Sequence, residues 1–399
     1  MSAAERPARA WRPATQAVRG GLARSGFGET CEAVYLTSGF VYASAEEAEA
    51  RFKGEQDGFI YSRYGNPTVG MFEQRIAELD GAEACYGTAS GMAAVFVSLL
   101  ALTRAGDHVV GSRALFGSCH YILTEILPRY GITTTLVDGT DLDQWRAALT
   151  PNTKAVFLES PANPTLELID IPAVCELAHR VGAKVVIDNV FATPLLQRPF
   201  ELGADVVVYS ATKHIDGQGR CLGGAVLGSR DYIDQQVQPF IRHTGPALSP
   251  FNAWVLLKGL ETLALRVGQM SASALKVAQV LEGHATVARV LYPSLPSHPQ
   301  HALAQRQMKA GGTVVAFELP GGQAQAFRFL NALRLVDISN NLGDSKSLIT
   351  HPTTTTHRAM GPEGRARIGV TDGMVRLSVG LEDVEDLIED LTAALDAAR

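Results

Sequence analysis

The 399-residue chain has no Cys-x-x-Cys pair, and its five cysteines (Cys31, Cys85, Cys119, Cys175, Cys221) are odd in number and scattered. That usage excludes a disulfide framework and a cysteine zinc site, and it points to free thiols in a reducing compartment, with the cytoplasm expected. Positive charge is not in excess. Lys and Arg number 35 against 41 for Asp and Glu, a net charge of −6, which is the wrong sign for a partner of nucleic acid. Long apolar runs are missing too: the longest, Met92–Leu102, contains Ser98 and is far shorter than the roughly 20 residues of a membrane span. Internal repeats and low-complexity tracts are absent. What is present is 46% hydrophobic residues, enough for about two or three domains with real cores.

The first twenty residues hold Arg6, Arg9, Arg12 and Arg19. No apolar stretch follows and Glu5 interrupts the basic pattern, so this segment reads as a loosely ordered N-terminal arm and not as a targeting peptide. From about residue 70 helical and strand periods alternate. Helices are expected at 71–79, 91–103, 119–130, 141–149 and 171–181. Short apolar strands are expected at 108–111, 133–137, 155–159, 184–188, 205–209 and 225–228. Strands of nearly continuous Val, Ile and Leu between helices require a sheet buried on both faces, hence an α/β domain with a mostly parallel sheet. Beyond Gly228 a long helix over 251–281, strands near 313–319 and 374–379, and helices at 323–333 and 384–397 predict a smaller α+β domain.

Four segments carry candidate chemistry. In 205–224, an apolar strand runs into Ser210, Thr212 and Lys213 beside a glycine-rich turn, at the strand end where open α/β sheets bind ligands. A lysine there is either solvated or a nucleophile whose pKa is depressed by desolvation or a nearby cation. In KVVIDN (184–189) Asp188 ends a buried strand; it either caps local structure or faces a cationic ring nitrogen. In GTASGMA (87–93) Ser90, Gly91 and Met92 open a helix, a phosphate-compatible start. In YSRYGNPT (61–68) Tyr61 and Arg63 sit in a loop suited to a phosphate contact or to nothing in particular.

Other patterns compete. Ser210-x-x-Lys213 matches the S-x-x-K motif of serine acyl hydrolases, but K-T-G and S-D-N are absent and the serine follows a strand. The glycines at 217, 219 and 223 approach a dinucleotide fingerprint without the strand that should precede it. His351 and His357 have neither metal-ligand spacing nor a shared helix face, with Pro352 between them, so no metal is expected and a loop near the substrate entrance is.

Together with ESPANPT (159–165) and VRLSVGLED (375–383), these segments resemble the gamma family of pyridoxal-phosphate enzymes of cysteine and methionine metabolism. The family includes cystathionine synthases and lyases, methionine gamma-lyases and homoserine-ester sulfhydrylases. The order and spacing agree from about Thr15 onward. The resemblance implies an aspartate-aminotransferase-like fold of fold type I, with a seven-stranded sheet. It also implies an N-terminal arm (1–60) reaching a neighbouring subunit, a large cofactor domain (61–255) and a C-terminal α+β domain (256–399).

By position, the resemblance makes Lys213 the Schiff-base lysine and proton carrier and Asp188 the partner of the pyridinium nitrogen. Ser90, Gly91, Met92, Ser210 and Thr212 become the phosphate cradle, with Tyr61 and Arg63 completing the neighbouring subunit's site and Tyr61 counted among the catalytic groups. Asn163 and Glu159 fall near cofactor and substrate, and Arg376 on the substrate α-carboxylate. Such shared sites imply a dimer at least, and a homotetramer is expected.

Two departures shape the expected reaction. Phe116 stands where many members have a ring-stacking tyrosine, keeping the π-face without an acidic phenol and disfavouring lyase chemistry. Asn341 replaces the serine of a Ser-Leu-Gly near the substrate carboxylate. Phe116, Asn341 and GQGRCLGG (217–224) are most similar to sulfhydrylases that take a succinyl ester. The expectation is a transferase that exchanges the acyloxy group of O-succinyl-L-homoserine for sulfide, giving homocysteine in methionine biosynthesis. The acetyl ester and the cystathionine-forming and lyase reactions are the alternatives.

Overall fold

A computed structural model describes residues 11–399; the arm residues Glu5, Arg6 and Arg9 lie outside the described residues. Seven strands form the large sheet: β1 (Ala84–Thr88), β2 (His108–Ser112), β3 (Thr133–Val137), β4 (Thr153–Glu159), β5 (Lys184–Asp188), β6 (Val206–Ser210) and β7 (Gly224–Gly228). Their spatial order is β1-β7-β6-β5-β4-β2-β3, and only β7 runs against the rest. The predicted double-faced burial has a direct signature in the cores. Val110, Val156, Val185, Ile187 and Val207 belong to one apolar cluster, and their neighbours Val109, Ala155, Val186, Val206 and Val208 belong to another on the opposite face. Alternation of side chains along each strand delivers both sets from one continuous apolar run.

The C-terminal sheet consists of β8 (Arg289–Leu291), β9 (Val314–Glu318), β10 (Asp337–Ile338), β11 (Leu348–Thr350) and β12 (Met374–Ser378), in the order β10-β11-β12-β9-β8. Its core (Val315, Phe317, Val375, Leu377, Leu391) is separate, and a fourth cluster joins the domains through Leu166 and Phe191 on one side and Leu291, Leu342 and Met374 on the other.

Three local differences from the sequence reading have clear causes. The arm is not loose from Pro13 onward: α1 (Pro13–Arg19) buries Ala17 against the body of the protein. Ala84–Thr88 carries no periodic signal and becomes a strand only because β7 offers a full antiparallel register to it. The expected long helix breaks into Pro250–Glu261 and Leu263–Gly283 at Thr262. The break turns Arg266 inward, where its guanidinium donates to the carbonyls of His214 and Gly259, each at 2.7 Å.

Helix α2 (Ala45–Lys53) lies in the arm. Helix α3 (Pro67–Asp80) starts at Asn66, whose side chain accepts from Thr68 N, and α4 (Gly91–Leu102) starts at Ser90, whose hydroxyl accepts from Ala93 N at 3.2 Å.

Candidate active site

Parallel register fixes the position of two carboxylates. β4 pairs with β5 so that Glu159 stands directly beside Asp188 at the carboxyl ends of both strands. Both line a cavity of about 300 Å³ that also takes in Ser90, Gly91, Met92, Phe116, Asn163, Ser210, Thr212, Lys213 and Arg376. Sequence segments spanning almost 300 positions thus converge on one space, because strand ends from the large sheet meet β12 and the Asn340–Leu342 loop of the small domain.

The walls are chemically distinct. At the floor, carboxylate oxygens of Glu159 and Asp188 and Cys119 Sγ lie within 4.8 Å of one another. Glu159 accepts from Phe116 N at 2.7 Å, and Asp188 from Val190 N at 3.1 Å. Burial pushes both carboxyl pKa values up, and for Glu159 the neighbouring Asp188 charge adds to it. Cys119 is also buried, its thiol pushed far above the ordinary value by burial and then by Glu159. It packs in the core on this face of the sheet, beside the carboxylate pair.

At the opposite end, Ser90 caps α4 while the Gly91 and Met92 amides have no acceptor among the described residues. Close backbone approach makes glycine necessary here. A Cβ on Gly91 would lie 2.4 Å from Ser210 Cβ, and one on Gly224 would lie 2.3 Å from the Ser90 carbonyl. Thr212 is tied to the β7 approach through its hydroxyl and Gly223 N at 3.2 Å.

Lys213 lines the same cavity. Its Nζ donates to Asn341 Oδ1 at 2.5 Å, and its pKa is lowered to about 8 by burial and, secondarily, by the charge of Arg376. Arg376 is 2% exposed. Its Nη1 donates to Asn163 Oδ1 at 2.9 Å and its Nη2 to the Asn340 carbonyl at 2.8 Å, while Nε has no partner. A buried guanidinium held only by neutral oxygens, with a donor to spare, is an anion receptor.

Tyr61 and Arg63 are not brought to this cavity within one chain. Tyr61 is 41% exposed, and Arg63 donates to the Arg242 carbonyl and lies over the Tyr64 ring. The loop of the two histidines does border the site. His357 Nε2 bonds the Asn163 carbonyl at 3.2 Å, His351 Nε2 bonds the Asp372 carbonyl at 2.8 Å, and Thr356 lines the cavity. Ser210 ends β6 and opens no helix, so the S-x-x-K reading lacks its helical frame.

Pyridoxal phosphate fits these groups. A paired-carboxylate floor without a cation suits a protonated ring nitrogen, the glycine-lined α4 start with free amides suits a phosphate, and a partly desolvated lysine suits an aldehyde.

The comparisons agree with the geometry. The family of Cys/Met metabolism PLP-dependent enzymes matches residues 14–396. An O-succinylhomoserine sulfhydrylase of Mycobacterium tuberculosis is 64% identical over 386 residues, covering 96% of this chain and 95% of that protein. Another, from Pseudomonas aeruginosa, is 51% identical over 383 residues, with coverage of 96% and 95%. A solved Campylobacter jejuni structure (metY) that carries N'-pyridoxyl-lysine-5'-monophosphate superimposes with a TM-score of 0.94 at 33% identity, over 97% of this chain and 100% of that one. Among the described residues no helix is long and apolar enough to cross a membrane.

Proposed function

The chain belongs to the Cys/Met metabolism PLP-dependent enzyme family, and from that premise we propose that it replaces the acyloxy group of O-succinyl-L-homoserine with sulfide, yielding L-homocysteine and succinate. The observation that carries this reading is Lys213, lowered to a pKa of about 8, sharing one cavity with the Glu159–Asp188 carboxylate pair and a buried arginine with a free donor. The sulfhydrylase names of the two relatives above support the choice of ester and nucleophile.

When bound, pyridoxal phosphate supplies an aldehyde that captures amines and a ring that withdraws electrons from the attached carbon skeleton. Asp188 would face the protonated ring nitrogen, with Glu159 directly beside it in the β4–β5 register. Phe116, which lines the cavity, would stack on the ring. Ser90, Gly91, Met92, Ser210 and Thr212 hold the phosphate. Arg376 grips the substrate α-carboxylate and is itself oriented by Asn163. Lys213 anchors the cofactor at rest. With substrate bound, its Nζ would take the proton from Cα and carry protons at Cβ, with Asn341 Oδ1 placed to accept from the ammonium. Sulfide enters as solute, so no cysteine nucleophile is needed.

Assembly completes the site in this reading. The arm exposes Phe27 (98%), Leu36 (68%) and Val41 (94%), apolar groups that a neighbouring subunit would cover, and Tyr61 and Arg63 on the same segment then serve that subunit's phosphate, in a dimer that pairs into a tetramer. The arm (1–60), large (61–255) and C-terminal (256–399) divisions follow the same logic. Five free cysteines favour the cytoplasm.

The test is to incubate purified holoenzyme with sulfide and either O-succinyl- or O-acetyl-L-homoserine and identify products by mass spectrometry. Homocysteine chiefly from the succinyl ester is expected. Predominant 2-oxobutyrate, or reaction of the acetyl ester alone, would overturn the reading.

A further inference from the structure

Outside the cofactor cavity, a second cavity of about 300 Å³ lies at the seam between the two domains. Thr165 and Glu167, on the loop that leaves β4, wall one side, and Arg289 at the start of β8 and His298 wall the other, with Leu291 and Ile368 supplying apolar surface. The seam is clasped. Gln300 Oε1 accepts from Leu168 N at 2.8 Å, and Gln307 accepts from Ile171 N and donates to the Ile169 carbonyl, each at 2.9 Å. The cavity is therefore bounded by fixed backbone and is not a gap between loosely apposed parts.

Three of its polar groups are uncommitted. Arg289 and Glu167 have opposite charges and line the same space, yet neither side chain has a hydrogen-bond or ion-pair partner among the described residues. Thr165 is 8% exposed and its hydroxyl oxygen is unpartnered. His298, 4% exposed, accepts from Gln300 N through Nδ1, and burial lowers it to about 4, so it presents a neutral ring. Burial and the nearby Asp138 raise Glu167 to about 6, which leaves it responsive to a cation at its side.

We propose that this seam is a second small-molecule site for a free α-amino acid, with Arg289 meeting the carboxylate, Glu167 the ammonium and the Leu291–Ile368 surface a small apolar side chain. A separated cation and anion over an apolar wall fit a zwitterion, whereas a simple anion would leave Glu167 opposed and a simple cation would leave Arg289 opposed. The loop offers a route to the reaction centre. Thr165 is two residues from Asn163, which orients Arg376, and Leu166, between Thr165 and Glu167, is held at φ 56°. The binding claim stands independently of the reaction proposed above.

The experiment titrates holoenzyme with L-norleucine, following binding by calorimetry and the cofactor by visible absorbance. Two classes of site are expected, one that perturbs the absorbance and one that is silent. Glu167→Gln and Arg289→Gln should each weaken only the silent class, by about tenfold or more, as expected for removal of a charge-assisted hydrogen bond. N-acetyl-L-norleucine and norleucine amide should not fill it. Both variants should retain the wild-type cofactor spectrum and, if the proposed reaction holds, wild-type kcat/KM with ester and sulfide. A single class that always tracks the absorbance overturns the proposal, as does a silent class untouched by both variants or filled equally by the blocked analogues. Absence of homocysteine formation would instead count against the proposed reaction and leave this binding result readable.

Discussion

Lys213 Nζ donates to Asn341 Oδ1 at 2.5 Å across a sequence separation of 128 residues. The bond ties the loop after β6 in the large domain to the loop after β10 in the small one, so the position of the amine depends on how the domains meet. Replacing Lys213 with Ala removes both the anchor and the proton carrier. Turnover should fall by at least ~10³-fold, and borohydride treatment should add pyridoxyl mass to the wild type but not to Lys213→Ala, as read by intact mass spectrometry.

The amine's pKa of about 8 makes a pH prediction for the apoprotein. Labelling of Lys213 by a neutral acylating reagent should rise with pH and level off above about 8, well below the range of a free lysine. Between about 8 and the ordinary value of 10.5 the unfolded chain holds a proton that the native lysine has lost, so this group adds stability as pH rises through that window. Asn341→Asp puts an anion beside Nζ and should move the labelling curve to higher pH. An unmoved curve would mean that the hydrogen bond does not persist in solution.

Gly91→Ala tests the phosphate end. The added Cβ would meet Ser210 Cβ at 2.4 Å, and the obstruction is backbone-rooted, so α4 must shift. Cofactor affinity should drop about tenfold or more for each charge-assisted amide hydrogen bond to the phosphate that the shift breaks, measured by dialysis against a phosphate buffer. Ser90→Ala, which removes one cap, should cost less.

Arg376→Lys keeps the charge but not the fork. With the Asn163 and Asn340 oxygens no longer both satisfied, KM for the ester should rise roughly 10- to 100-fold, with a smaller change in kcat. A large loss in kcat with KM unchanged would argue that Arg376 does not bind the ground-state carboxylate.

Phe116→Tyr restores a phenol on the ring face. The product ratio should move from homocysteine toward 2-oxobutyrate, since a general acid near the reacting carbons favours elimination. Mass spectrometry of both products from one incubation measures the ratio directly.

Much of the large domain was legible because its central strands are apolar on both faces and three of them end at a chemically unusual residue: Glu159 on β4, Asp188 on β5, Ser210 on β6. β1 was not, since Ala-Cys-Tyr-Gly-Thr has neither alternation nor a β-branched run, and its strand state comes from β7. The short strands β8, β10 and β11 escaped for the same reason; two or three residues carry no period. The break at Thr262 was hidden because Leu and Ala on both sides continue the helical pattern, and only the inward turn of Arg266 separates the two helices.

The site divides along similar lines. Residue types at strand ends and at the Ser90 helix start are local properties, so Lys213, Asp188, Ser90 and Gly91 stood out as candidates in the sequence, and the family resemblance supplied their roles. Their electrostatics could not. Glu159 faces Asp188 because of the β4–β5 register, Arg376 reaches Asn163 because β12 lies against the large domain, and the Arg289–Glu167 seam exists only where the domains meet. By itself the sequence determined most of the helices, the long apolar strands and which chemistry sits at their ends, since periodicity, capping and residue type act over a few positions. Tertiary structure decided which charges confront one another and which donors are left over, because burial and Coulomb interactions depend on distances in space that strand order and domain packing set.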